Sequence, residues 1–322
     1  MLTVLFATRD RAQILREVLE TYCDVRPPAA GWKLVIVDNA SSDETGEIVA
    51  SFARRLPVTL LFEREPGKNR ALNAGLGSLE GQLTVLTDDD AFPHPDWLVE
   101  LEKAAKAAPA CSIFAGRIVP RWEITPPEWV QWIDPRPVFT LTDPSLQEGP
   151  ISPGLVFGPN MAIRTALFRA GIRFDAAMGP RGTSYPMGSE TELVQRLGAM
   201  GHKAWYVPGA LVDHFIRREQ LTEAWVLQRA VRYGRGKFRL LHGGDAFISQ
   251  RWIGAAARPF RQLLRECLIM PVSWITFRKI TLFRSRWRFH YWRGHIIEAY
   301  NLVCERSRAA SQQAALEAKP RN

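Results

Sequence analysis

Four short apolar runs constrain this fold more than any other feature of the chain. They lie at residues 3–7, 33–37, 58–62 and 82–87. Each is nearly continuous in Val, Ile, Leu or Phe, as in Leu34-Val35-Ile36-Val37, so each reads as a strand buried on both faces. The segments between them are helical in pattern. Residues 12–23 carry Ile14, Leu15, Val18, Leu19 and Tyr22 at helical spacing, and Pro27-Pro28 stops them. Ser41, Ser42 and Asp43 are N-cap candidates for a helix through Phe52. Gly67 opens another through about Leu79, and residues 95–107 form a further one. Buried strands alternating with helices predict an α/β fold, a mainly parallel sheet with right-handed crossovers.

The later pattern is less regular. Residues 154–163 read as a strand and residues 190–200 as a helix with Gly201 as its C-terminal cap. Residues 203–207 read as a short strand that Pro208 ends. The stretch 122–159 is rich in Pro and Trp and reads as a long loop or lid. From 221 onward the pattern is helical, with a polar tail after Arg306 that is expected to fray. These readings predict two domains, 1–220 and 221–322, within the 322 residues.

The charge is divided along the same line. Residues 1–215 hold 21 Lys+Arg against 26 Asp+Glu, a net of −5, whereas residues 216–322 hold 21 against 7, a net of +14. The basic part interleaves cations with large aromatics, as in Trp287-Arg288-Phe289-His290-Tyr291-Trp292-Arg293. No stretch reaches the ~20 apolar residues that span a bilayer. An anionic surface is the expected partner, a membrane leaflet or nucleic acid, or else the region packs as a helical subdomain or homodimer. Cys23, Cys111, Cys267 and Cys304 are isolated, which argues against a zinc site or a disulfide framework and suits a reducing compartment. The N-terminus reads as a first strand rather than a signal peptide, because Arg9, Asp10 and Arg11 follow its apolar run at once.

The chemistry concentrates at strand ends. Asp88-Asp89-Asp90 closes the fourth apolar run. Three adjacent carboxylates repel one another unless they are solvated or share a cation. A hard divalent ion such as Mg²⁺ or Mn²⁺ fits, and a solvated acidic turn capping a helix is the other reading. Thr8-Arg9-Asp10-Arg11 and Asp38 end the first two runs, at the sheet edge where α/β folds bind ligands. Lys68 and Arg70 put cations at a helix N-terminus, against its dipole, which an anionic ligand would explain. Glu190 and Glu192 open a later helix, where the dipole keeps a carboxylate ionised and ready to act as a base. His214 follows a strand and suits either a ligand or a structural hydrogen bond.

Taken in order, these residues resemble glycosyltransferase family 2. The series runs through Thr8-Arg9-Asp10-Arg11, Val37-Asp38-Asn39, Gly67-Lys68-Asn69-Arg70-Ala71-Leu72-Asn73-Ala74-Gly75 and Thr87-Asp88-Asp89-Asp90. It continues with Gly158-Pro159-Asn160, Phe174-Asp175 with Gly179, Glu190-Thr191-Glu192-Leu193, Tyr206-Val207-Pro208 and His214, and covers residues 2 to about 220. The resemblance implies a GT-A fold, a DXD-type metal motif, and inverting transfer from a nucleotide-diphosphate sugar to a saccharide or lipid-linked acceptor. It implies donor contacts from Thr8, Arg11, Asp38, Lys68, Arg70, Asn73, Asp88 and Asp89. It implies Mg²⁺ or Mn²⁺ held by Asp90 or Asp89 with His214, and a base at Glu190 or Glu192. Ser189-Glu190 stands where the family has Glu-Asp.

These expectations describe a metal-dependent enzyme of cell-surface polysaccharide biosynthesis, cytoplasmic and peripheral on the inner face of the plasma membrane. The basic region would hold it at anionic lipid, not at nucleic acid. A nucleotidyltransferase acting on sugar phosphates is the rival enzyme class, although the turn at 8–11 lacks the glycines such enzymes usually carry. A basic binding protein without catalysis is the rival outside enzymes.

Overall fold

The protein is represented by a computed structural model that describes residues 1–180, 182, 185–243 and 252–317. It divides into two compact units. The first comprises Met1–Pro127, Asp134–Thr183 and Ser189–Leu221, and the second Glu128–Ile133, Ser184–Gly188 and Thr222–Asn322.

In the first unit the alternation read from the sequence is present. β1 (Leu2–Thr8), α1 (Ala12–Tyr22), β2 (Trp32–Asp38), α2 (Thr45–Ser51), β3 (Val58–Phe62), α3 (Lys68–Gly75) and β4 (Leu83–Thr87) follow one another. β5 (Ala91–Pro93), α4 (Trp97–Ala107), β6 (Cys111–Trp122), α5 (Pro135–Phe139) and β7 (Gly149–Ile151) come next. β8 (Asn160–Arg164), α6 (Thr165–Arg169), α7 (Ser189–Ala199) and β9 (Lys203–Ile216) complete the unit. Among the described residues the strands form one nine-stranded sheet in the order β3-β2-β1-β4-β8-β6-β9-β5, with β7 paired to β9. The first four strands are parallel. β8 runs antiparallel to both β4 and β6, so the sheet is mixed rather than parallel throughout.

This order matters for function. Strand order reverses between β1 and β4, and α/β sheets bind ligands in the crevice at the carboxyl ends of such a pair. Thr8 ends β1 and Asp88 follows β4 at that crevice. The strands there are buried on both faces, with Val4, Leu5, Phe6, Val35, Ile36 and Val85 fully inaccessible.

Two expectations about elements are corrected. β6 had no counterpart in the pattern, because Gly116, Arg117 and Pro120 interrupt its hydrophobic run. β9 does not stop at Pro208 but continues to Ile216. Its pairing with β6 jumps from Gly116↔Val207 to Arg117↔Leu211, so residues 208–210 bulge out of the ladder. A proline there forfeits no ladder hydrogen bond. The extension is what brings His214 into the sheet. The 122–159 stretch also holds more structure than a plain loop, since α5 is capped by Asp134 and Trp122 packs edge-on against Phe139.

The second unit is built from α8 (Glu223–His242), α9 (Trp252–Ile275) and α10 (Lys279–Glu317). α10 remains helical well past Arg306, and the end of the expected frayed tail, residues 318–322, lies outside the described residues. α8 and α10 meet backbone to backbone. A Cβ on Gly234 would stand 2.0 Å from the Tyr291 carbonyl oxygen, and one on Gly294 2.2 Å from that of Val231. Many of the basic residues are used internally. Glu298, fully buried, accepts from Arg235 Nε at 2.8 Å and from Arg239 Nε. Glu266 accepts from Ser285 Oγ at 2.5 Å and Arg288 Nε at 2.8 Å. Trp129 and Trp132 pack on Phe283 with ring centroids 5.3 and 6.1 Å apart.

The same bundle makes a pH prediction. His295 is buried against Phe238 and Tyr291, and burial pushes its pKa from 6.5 down to about 4. A depressed imidazole pKa means the unfolded chain binds the proton first. Stability is therefore full above pH 6.5 and is lost as pH falls toward 4. The loss by pH 4.5 is on the order of 2–3 kcal/mol. Urea denaturation at pH 7.5 and 4.5 should show this drop in the wild type and a smaller one in His295→Phe. Equal drops would refute the assignment.

Candidate active site

Side chains from five places converge at the crevice. The loops after β1 and β2 are tied first. Asp10 accepts from Ser42 N at 2.7 Å, and Asp43 accepts from Ala12 N at 3.0 Å, which caps α1 from a neighbouring loop. Asn39 then fixes the approach to α3. Its amide donates to the Glu63 and Glu65 carbonyls at 3.1 and 2.8 Å and accepts from Gly67 N at 2.7 Å. That places Lys68, the first residue of α3, facing the turn after β4.

Lys68 bridges two acids. Its Nζ lies 2.5 Å from Asp88 Oδ1 and 2.5 Å from Glu190 Oε1. Burial opposes its charge, but the two carboxylates outweigh burial and raise its pKa, so it stays a cation. Burial likewise pushes the Glu190 carboxyl up, and Lys68 with the Ser189 hydroxyl reverses this and holds it below its ordinary value. Ser189 Oγ donates to Glu190 Oε2 at 2.6 Å. Gly158 forms the other wall, since a Cβ there would lie 2.7 Å from Glu190 Cδ. Thr87 Oγ1 donates to the Pro159 carbonyl at 2.7 Å and joins that wall to the end of β4.

Asp90 sits among Arg11, Arg217 and His214. Arg11 Nη1 is 3.3 Å, Arg217 Nη1 3.7 Å and His214 Nε2 3.5 Å from its carboxylate. Burial would raise its pKa, yet His214, Arg11 and Arg217 together overcome burial and hold it well below the carboxylate range. His214 Nδ1 is 2.7 Å from the Phe139 carbonyl oxygen. A carbonyl only accepts, so Nδ1 carries a proton and Nε2 faces Asp90. Burial disfavours the imidazolium, but Asp90 outweighs it and raises the His214 pKa.

One ligand atom each from Asp88, Asp90 and His214 lies within 4.8 Å of the others, a group able to hold a divalent ion. The donor set fits. Two carboxylates suit Mg²⁺ or Mn²⁺, the imidazole nitrogen is more natural for Mn²⁺, and the Nδ1–carbonyl bond is the usual support for a ligating histidine.

The other residues expected at the site fall in different places. Asp89, expected as a metal ligand, instead accepts from Thr8 Oγ1 at 2.8 Å. Burial and the charge of Asp90 lift its pKa to about 6 against the pull of Arg11. Asp38 is buried at the end of β2 and accepts from Ser41 N at 2.9 Å. Arg70 pairs with Glu65. Asn73 brackets the Phe174 backbone, donating to its carbonyl and accepting from its N–H, each at 2.9 Å. Glu192 pairs with Arg196 at 2.7 Å. Arg217 was not anticipated. The available signal was its position three residues after His214, just beyond the strand that carries the histidine.

The chain is similar to known proteins in sequence and in fold. Residues 3–170 match the family described as Glycosyl transferase family 2. The succinoglycan biosynthesis protein ExoM of Rhizobium meliloti (strain 1021) is 24% identical over 228 residues, covering 70% of this chain and 70% of that protein. The dolichyl-phosphate beta-glucosyltransferase ALG5C of Trichomonas vaginalis is 33% identical over 82 residues, 25% of this chain and 24% of its own length. Among solved structures, the mannosyltransferase PcManGT from Pyrobaculum calidifontis, in complex with GDP-Man and Mn²⁺, superposes with a TM-score of 0.63 at 19% identity, covering 93% of this chain and 86% of that one. S. aureus TarS 1–349 in complex with UDP gives 0.52 at 14% identity, covering 93% and 91%. Likeness at these identities establishes the fold, which is GT-A. With more than half of its length matched and its acidic cluster at the sheet's switch point, the chain belongs to glycosyl transferase family 2.

Proposed function

We propose that residues 1–220 form the catalytic domain of a metal-dependent, inverting glycosyltransferase. It uses a nucleotide-diphosphate sugar and acts on a saccharide or lipid-linked acceptor of a cell-surface polysaccharide. The observation that carries this reading is the convergence of Asp88, Asp90 and His214 beside the Lys68–Glu190 pair. The ExoM and ALG5C names, and the GDP-Man and Mn²⁺ in the mannosyltransferase, support the same classes of donor and acceptor.

Asp88, Asp90 and His214 would hold Mg²⁺ or Mn²⁺, which neutralises the donor's diphosphate. Asp38 and Thr8 line the nucleoside side. Arg11 and Arg217 place two guanidinium groups where charge develops on the leaving phosphate. Glu190 takes the proton of the acceptor hydroxyl. The oxygen forms its bond to the anomeric carbon as the bond to the diphosphate breaks, and the diphosphate leaves with the electron pair. One such displacement inverts the anomeric configuration. Ser189 and Gly158 position the Glu190 carboxylate, and Lys68 keeps it ionised.

Incubation with a panel of nucleotide sugars, with and without Mn²⁺ or Mg²⁺, tests the reading. Slow, metal-dependent release of nucleoside diphosphate from one donor is expected. No release, together with no metal-dependent binding of any donor, would overturn it.

A further inference from the structure

α9 buries one face in its own bundle. On that face Glu266 and Ser273 are almost inaccessible, and Ser285 and Arg288 of α10 hold Glu266. The opposite face carries Phe260, Leu264, Leu268, Val272 and Ile275 at intervals of three and four residues. They are exposed by 58, 52, 74, 60 and 66%. At 3.6 residues per turn these fall on one continuous stripe. Trp274 and Phe277 extend it at 71 and 88% exposure. Single exposed apolar residues are ordinary, but a stripe of this length marks a surface with a partner.

The charge around the stripe says what that partner is. Helical geometry places Arg258, Arg261 and Arg265 along one flank, and Arg278 and Lys279 follow its C-terminal end. All five are exposed, and none forms an ion pair with a carboxylate among the described residues. Arg235, Arg239, Arg286 and Arg288 of the same unit all do. From residue 252 to residue 297 the chain has a single acidic residue, the buried Glu266. No helix of the described residues is long and apolar enough to cross a membrane. An apolar stripe edged by unneutralised cations on a helix that cannot span fits the headgroup boundary of an anionic bilayer. A second copy fits worse. A two-fold contact through the stripe would set cations against cations, with no carboxylate on this surface to pair them.

We propose that α9 seats the protein on anionic lipid. The Phe260–Ile275 stripe lies among the upper acyl chains, and the five cations lie at the phosphates. The claim is independent of the catalytic reading, and its test reads binding rather than turnover. The full chain is floated with phosphatidylcholine vesicles, with and without phosphatidylglycerol, at low and high salt. The wild type should bind the anionic vesicles and weaken as salt rises. Arg261→Ala with Arg265→Ala should weaken partitioning roughly 30-fold at low salt. Leu268→Asp should weaken it by at least about tenfold while leaving the circular dichroism spectrum and donor hydrolysis unchanged. Failure of the wild type to bind anionic vesicles would overturn the proposal, as would undiminished binding by Leu268→Asp. A lipid-independent dimer that Leu268→Asp dissociates would assign the stripe to a second copy and overturn it too.

Discussion

Asp90→Ala is expected to lower kcat/KM for the favoured donor by at least about 10³-fold, some 4 kcal/mol of transition-state stabilisation. The size follows from two roles held by one carboxylate. It is one of three groups that converge on the cation position, and it is the anion facing Arg11, His214 and Arg217. Removing it deletes a ligand and leaves the Arg11 and Arg217 guanidinium groups without their shared anion in a buried site. Metal-dependent donor binding should disappear. Binding of the free diphosphate without metal should survive, because the Arg11 and Arg217 guanidinium groups remain. Steady-state kinetics with a donor-binding titration separates the two effects. Activity within tenfold of wild type would mean the ion, if used, is held elsewhere.

Glu190→Gln should lower kcat by about 10²–10⁴-fold with little change in donor affinity. Glutamine keeps the size of the side chain and its hydrogen bond from Ser189 but cannot take a proton. Glu190→Asp should recover part of the rate, since it keeps the base and only retracts it from the acceptor. Glu192→Gln is the internal control. Glu192 is engaged with Arg196 one turn further along α7, and its loss should leave kcat within a few-fold. A large loss in Glu192→Gln with kcat kept in Glu190→Gln would move the base two residues along α7.

The two halves of the GT-A sheet were not equally legible. β1, β2 and β4 announce themselves because each is an apolar run bounded by charged turns, and strands buried on both faces need such runs; β3 carries a similar run although it is an edge strand with Leu60 and Phe62 exposed. β6 and β9 do not. Arg117, Pro120 and Pro208 break their patterns, and only the bulge at residues 208–210 shows why a proline is harmless there. The acidic turn, Lys68, Glu190 and His214 were visible as residue types at strand and helix ends. Their partnerships were not, because they join distant parts of the chain. Lys68 meets Glu190 only after α7 folds against Gly158, and His214 reaches Asp90 only because β9 runs past its proline. Asn73 has a partner that its place in the sequence does not reveal. It sits among donor-contact residues in the sequence, but the loop at Phe174 folds back and occupies its amide. The basic, aromatic C-terminal region shows the limit of composition. Part of its charge is neutralised inside the bundle by Glu266 and Glu298, and exposed cations remain on α9 and its end and on α10 at Arg284, Arg293 and Arg308.

Asp88, Asp90 and His214 are proposed to hold a divalent ion that receives a nucleotide diphosphate. Titration with Mn²⁺, with and without a nucleoside diphosphate, followed by the electron paramagnetic resonance of free Mn²⁺, tests it most directly. One tight Mn²⁺ per chain is expected, bound more tightly with the nucleotide. That gain should be absent in Asp90→Ala and His214→Ala and retained in Asp89→Asn. Nucleotide-coupled Mn²⁺ binding that persists in Asp90→Ala and His214→Ala would contradict the account.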